Sequence, residues 1–303
     1  MEQDRNRHYT AHIALGMVAI FYGINYFTIK EVFIEGYSPF AALSVRCMVA
    51  TLFFVIFHAV AIREKIKERK DFLRLALCAL FGVSINQTFF LWGISETSRV
   101  NSAVLMITTP IFVFLVAWLL KQETITRRKL LGLALSFGGA MGLTLTGVSA
   151  GSDGPQASIF GDVLIMLNAA SYGIYLVLVR PLVLRYNTFT IIKWLFIFGS
   201  IPNILVGLGP LMETDVGGMS GKAVFGVVYL ILFATIGAYF LNAWAMKKLP
   251  SSAVGIYIYV QPIFVTLFSA YLSLGEVDLV KFQFILLIFA GVYLVTTTGL
   301  RRR

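Results

Sequence analysis

Side chains that hydrogen-bond without carrying charge recur at helical spacing inside the most apolar parts of this chain. Tyr22, Asn25 and Tyr26 stand at i, i+3 and i+4, and Tyr172 and Tyr175 restate part of that face 150 residues later. Tyr257 and Gln261 are four apart, Tyr239 and Asn242 three apart, and Asn86 and Gln87 adjacent. Residues three and four apart share one helix face. An amide or phenol in hydrocarbon needs a partner, so these groups should turn inward. Together they would line a polar, uncharged cavity whose rings can cover an apolar or cationic part of a small solute. Read residue by residue, the same side chains could instead bond helix to helix, with some tyrosines at the membrane interface.

Arg46 is the one cation near the middle of an apolar run. A central Arg costs about 2.5 to 3.5 kcal/mol and must have partners. It either anchors a carboxylate or phosphate, or snorkels outward and caps helix carbonyls. Lys193 and His58 enter their runs only a short way and are placed as interfacial side chains. The fifteen Asp and Glu fall in tails, loops or run ends, Asp162 being closest to hydrocarbon, so no carboxylate relay at mid-depth is expected. No His and carboxylate pair and no cluster of metal ligands occurs at depth, which points away from an enzyme and implies no cofactor and no metal. Cys47 and Cys78 have no ligand spacing and read as packing residues.

The elements that must position these groups are membrane helices. Hydrophobic residues make up 58% of 303 positions against 13% charged, with a mean hydropathy of +0.82. Six uncharged runs reach the roughly 20 residues that span a bilayer: Leu75–Ser95, Val100–Leu120, Leu130–Ser152, Ala223–Met246, Leu249–Gly275 and Phe282–Leu300. Four more are a little shorter or carry one charge: His12–Ile29, Pro39–Ile62, Ile159–Val179 and Thr188–Leu208. The expected fold is therefore an all-α membrane protein of ten transmembrane helices. Continuous apolar runs exclude the two-residue alternation of a β-barrel. The polar start and absent small-residue cleavage site make the first run a retained helix rather than a signal peptide.

The net charge of +10 is topological. With the N-terminus in the cytoplasm, 19 of the 25 Lys and Arg fall on the inner side and only Lys30, Arg99, Lys222 and Lys281 on the outer. That bias puts both termini in the cytoplasm of a plasma membrane of the bacterial inner-membrane type, and it argues against nucleic acid as a partner. The expected partners are the bilayer and a small-molecule substrate, with monomer or homodimer left open.

The chain also repeats itself. Thr109-Pro110-Ile111-Phe112-Val113 recurs as Gln261-Pro262-Ile263-Phe264-Val265, Tyr22-Gly23-Ile24 as Tyr172-Gly173-Ile174, and Ser102-Ala103-Val104 as Ser252-Ala253-Val254. Phe81 and Trp92 match Phe233 and Trp244, and Glu123 and Gly138 match Glu276 and Gly291. The two units, 10–147 and 158–300, would each hold five helices. An odd number forces the second unit to cross the membrane in the opposite sense, giving an inverted 5+5 repeat that can trade shapes between its halves. Pro110 and Pro262 then fall near the midplane in helices four and nine, as helix breaks that gate the site and free the carbonyls of Met106 and Ile258; a static packing kink is the competing reading. Gly138 and Gly142 form a small-xxx-small packing pair.

The doubled pattern of a proline within an apolar run, a Glu beyond it and then a Gly-containing run resembles the EamA family of the drug/metabolite transporter superfamily, over roughly Ala11 to Gly299. The resemblance implies a carrier working by alternating access, foremost an exporter of amino acids or related metabolites. It leaves open an importer or exchanger of a nucleotide derivative such as S-adenosylmethionine, or a channel-like facilitator. If the paired breaks serve transport, Pro110→Ala and Pro262→Ala should each slow flux in proteoliposomes while the folded protein stays abundant; unchanged rates in both remove the idea.

Overall fold

The computed structural model describes residues 2–97, 102, 105–147, 158–271 and 279–297, and among them it contains helices and no strand. Among the described residues six helices are long and apolar enough to cross a membrane. They are α1 (Glu2–Ile34, apolar from Tyr9), α2 (Pro39–Ile62), α3 (Arg69–Glu96), α6 (Ile159–Arg185), α7 (Thr188–Met212) and α8 (Gly221–Met246). Between and after them lie α4 (Thr109–Leu119), α5 (Arg127–Gly147), α9 (residues 251–271) and α10 (Leu279–Thr297). Glu276, Arg99 and one end of several expected runs fall outside the described residues.

Helix starts follow local chemistry. The side chains of Ser38, Ser158, Asn187 and Ser220 each accept a backbone N–H in the first turn of the helix that follows, satisfying donors that have no intrahelical acceptor. Three helices widen into π turns, at His58–Ile62 in α2, Leu80–Ser84 in α3 and Leu232–Gly237 in α8. The last two stand at matching places in the sequence repeat, and both open backbone carbonyls to side chains from other helices.

The paired prolines behave differently from a mid-helix kink. The chain turns at residues 107 and 108, and α4 then starts afresh with Pro110 in its first turn. Helix α9 tightens to 3-10 geometry over Ile256–Val260 and resumes its α form at Gln261, next to Pro262. A first-turn proline removes a donor that had no acceptor anyway. The Ile258 carbonyl is not left free as expected, because the tighter turn brings the Gln261 N–H onto it. By contrast Pro181, Pro202 and Pro210 sit inside unbroken helices.

Helix packing comes in pairs related by the repeat. On α1, a Cβ at Gly23 would stand 2.9 Å from the Cβ of Phe264; on α6, one at Gly173 would stand 2.7 Å from that of Phe112. Helix α1 packs on α8 and α9 as α6 packs on α3 and α4, while α2 pairs with α7 and α5 with α10. The α2 and α7 backbones approach at Gly207, which faces the Phe40 carbonyl, and Ser44 Oγ donates to the Ile204 carbonyl at 2.9 Å. The α5 and α10 contact uses Gly132, Gly139 and Gly142 against Gly291, Ile288 and Phe284. Gly138, half of the expected packing pair, meets nothing within 4 Å.

Polar contacts tie the helix ends into two layers. In one, Tyr186 Oη donates to Asp71 Oδ2 at 2.8 Å, the Asn187 N–H to Glu64 Oε2 at 2.8 Å, and the Ser252 N–H and Oγ to Glu123, which Lys129 pairs at 2.7 Å. In the other, Thr97 Oγ1 donates to Asp162 at 2.6 Å and Ser220 to Glu35. The end of α4 therefore lies beside the start of α9. Adding bulk where backbones touch should cost about 1–3 kcal/mol. Gly207→Val should lower the melting temperature in detergent by several degrees, whereas Gly209→Ala, with nothing within 4 Å, should leave it close to wild type; equal effects would show that the contact carries no stability.

Candidate functional site

A cavity of about 540 Å³ of empty space, open solvent at its mouth included, lies among α1, α2, α3, α6, α8 and the broken parts of the chain beside α4 and α9. From α1 it takes Tyr22, Asn25 and Tyr26, from α2 Arg46, and from α3 Asn86, Gln87 and Phe90. Helix α6 adds Asn168 and Tyr172, α8 adds Ala234 and Tyr239, and Met106 and Gln261 enter from beside the two proline restarts. Nine of the twelve side chains expected to meet a solute thus share one space.

Arg46 is 5% exposed and does not snorkel to an interface. Its Nε donates to Thr235 Oγ1 at 2.6 Å and its Nη2 reaches toward the Ala234 carbonyl at 3.5 Å, both in the π turn of α8. Thr235 Oγ1 in turn donates to the Leu230 carbonyl at 2.7 Å. Among the described residues no carboxylate lies within ion-pairing distance of the guanidinium. The cavity therefore holds a fixed positive charge with hydrogen bonds and, among the described residues, no counter-ion.

Its acceptors are equally specific. Asn168 Nδ2 donates to the Asn86 carbonyl at 2.6 Å, and Asn86 Nδ2 returns toward the Asn168 carbonyl at 3.5 Å. That bond to a carbonyl fixes which end of the Asn168 amide is nitrogen. Its buried Oδ1 is left without a partner, as is that of Asn25. Unmet amide oxygens in a buried site are costly unless a ligand or water meets them.

The rest of the wall is tied to itself. Gln87 Nε2 donates to Tyr239 Oη at 3.0 Å, Tyr239 Oη donates to the Gly82 carbonyl opened by the π turn of α3, and Cys47 Sγ approaches Gln87 Oε1 at 3.4 Å. The rings of Tyr26 and Phe90 meet edge to face at 5.9 Å. Tyr22 stands next to the Tyr172 hydroxyl, the two being matched in the sequence repeat.

Three expected lining residues sit elsewhere. Asn242 stands behind Tyr172, donating from Nδ2 to its hydroxyl at 2.9 Å. Tyr175 is 1% exposed and packs between the rings of Tyr172 and Tyr239 at 5.9 and 6.3 Å. Tyr257 points to His12 of α1, Oη to Nδ1 at 2.8 Å. Pro110 and Pro262 do not line the space; their neighbours Met106 and Gln261 do. Asn168 was not singled out in the sequence, although it precedes Tyr172 by four residues and so shares its face. Lys193 and His58 lie off the cavity and against each other, Nζ to Nδ1 at 3.4 Å. Among the described residues no group of three His, Cys, Asp or Glu could hold a metal ion, and Cys47 and Cys78 are buried and unpaired.

Known proteins resemble this chain in fold or in sequence. A solved crystal structure, 14% identical, superimposes with a TM-score of 0.73 over 94% of this chain and 98% of its own. Two proteins of Archaeoglobus fulgidus, each described as an uncharacterized transporter, are 28% identical over 75% of this chain and 76% of theirs, and 27% identical over 87% and 90%. The profile of the EamA-like transporter family matches twice, at residues 10–145 and 159–297. A multi-pass bundle of apolar helices around a buried polar cavity, matched in both halves by that profile, makes this chain a member of the EamA-like transporter family.

Proposed function

We propose that this carrier moves small zwitterionic metabolites, amino acids foremost, across a plasma membrane of the bacterial inner-membrane type. The observation that carries the proposal is the pairing, in one cavity, of an Arg46 guanidinium that has no carboxylate partner among the described residues and of unmet amide oxygens on Asn168 and Asn25. A solute carboxylate supplies the counter-ion. Its ammonium supplies donors for the amide oxygens, and the rings of Tyr22, Tyr26, Phe90 and Tyr172 cover an apolar side chain.

Alternating access by two inverted five-helix halves is the mechanism. It is supported by the twofold family match, the repeat-related packing of Gly23 on Phe264 and Gly173 on Phe112, and the end of α4 lying beside the start of α9. The basic-residue bias supports cytoplasmic termini, and on that sidedness the layer holding Asp71 and Glu123 is the inner one. Export is the direction implied by the family resemblance. S-adenosylmethionine presents the same amino-acid head group, with a cationic sulfonium for the rings to face, and is the second reading.

Counterflow in proteoliposomes against a panel of amino acids, their amides, nucleotides, vitamins and organic cations tests the proposal. Arg46→Lys should weaken carboxylate-bearing solutes more than their neutral amides, and an equal loss for both returns Arg46 to a structural role. Asn168→Leu should weaken ammonium-bearing solutes about tenfold while sparing carboxylates that lack the ammonium. A panel that shows nucleotide flux and none for amino acids overturns the first reading.

A further inference from the structure

The cation of the cavity is held from behind by one hydroxyl. Thr235 is fully buried within the π turn of α8, and its side chain contacts Arg46 rather than the cavity space. A threonine hydroxyl has one proton. Here that proton goes to the Leu230 carbonyl at 2.7 Å, so the oxygen must face Arg46 as an acceptor and takes its Nε–H at 2.6 Å. With Nε spent on Thr235 and Nη2 turned toward the Ala234 carbonyl, the remaining guanidinium N–H groups are left for a ligand.

The repeat supplies an independent argument. The π turn of α3 matches that of α8 in place, Phe81 answering Phe233, yet the position answering Thr235 is Val83. The positions answering Arg46, at offsets of 150 to 152, are Phe196, Ile197 and Phe198. The wide turn is common to both halves, whereas the hydroxyl and the cation occur together in one and are both missing from the other. A hydroxyl kept only for packing or for the π turn has no reason to follow the arginine.

We propose that Thr235 is a positioning residue for solute recognition: it orients the Arg46 guanidinium so that its free N–H groups face a solute carboxylate. This rests on the reading of Arg46 given under the proposed function. The carboxylate affinity of the carrier then depends on a residue that touches no solute.

The test is concentration-dependent counterflow in proteoliposomes with L-leucine and L-leucinamide, which differ only in carboxylate against neutral amide. Wild type should favour L-leucine, and Arg46→Lys should erode that preference; no preference in the wild type, or no flux of either, overturns the function reading and this inference together. Thr235→Val, which keeps the shape and loses the hydroxyl, should raise KM for L-leucine on the order of tenfold. Its maximal rate and its handling of L-leucinamide should stay within about twofold of wild type, while Thr235→Ser should restore leucine affinity. In an Arg46→Lys background, which lacks Nε, Thr235→Val should add nothing further. If Arg46→Lys erodes the preference and Thr235→Val does not, or if Thr235→Val impairs both solutes equally, the positioning role is overturned and the function reading stands. Should Thr235→Val not be recovered folded, Thr235→Cys, with its poorer acceptor, carries the same prediction at reduced size.

Discussion

A backbone amide or carbonyl in hydrocarbon has no water to turn to, and this structure is organised by that constraint. A plain α-helix meets it by pairing each residue with one four positions away, which leaves nothing for a solute. The chain departs from the plain helix at a few places and repairs each departure locally. In α9 the repair is a 3-10 turn that returns the Ile258 carbonyl to the Gln261 N–H. In α3 and α8 the widened turns hand carbonyls to Tyr239 and Arg46. These departures surround the cavity, so the irregular backbone and the polar side chains solve one problem jointly.

What the wall does not satisfy is as informative as what it does. Most of the polar lining is consumed internally, as in the chain from Gln87 through Tyr239 to the Gly82 carbonyl. Such bonds set the shape of the space and fix rotamers before a ligand arrives, which limits the ordering cost of binding. The unmet groups are few and differ in sign: guanidinium N–H donors at Arg46, amide oxygens at Asn25 and Asn168. A cavity with unmet groups of one sign would suit a simple ion. One with both is what the proposed zwitterionic solute would need.

Much of this was legible from residue order, and its limits are physical. Helical spacing gathers Tyr22, Asn25 and Tyr26 on one face, and the structure opens that face to the cavity. Spacing says nothing about depth behind the wall, so Asn242 and Tyr175, on the correct helices, became supports for Tyr172 instead. Tyr257 was lost because the 3-10 turn rotates it off the face that an unbroken helix would share with Gln261. The prolines signal the breaks but not their form: a restart after a turn differs from a kink, and it is the folded chain that reclaims the Ile258 carbonyl. Asn168 went unseen because it has no counterpart in the first half, where Val18 stands 150 residues earlier. The arginine was visible at once, but its holder was not, since a threonine in an apolar run carries little signal until its neighbour is known.

The bond between Gln87 and Tyr239, like the meeting of Tyr22 with Tyr172, joins two residues that answer each other in the sequence repeat. The two residues occupy the same place in their respective halves, 152 positions apart, and they touch each other at 3.0 Å. Mates that meet must straddle the line about which the halves are related. A rocking motion that trades the shapes of the halves moves distant groups most and groups on that line least. Under the alternating access proposed above, Tyr239 and Gln87, with Tyr22 and Tyr172, would form the fulcrum of the cycle, a point that stays while everything around it changes places.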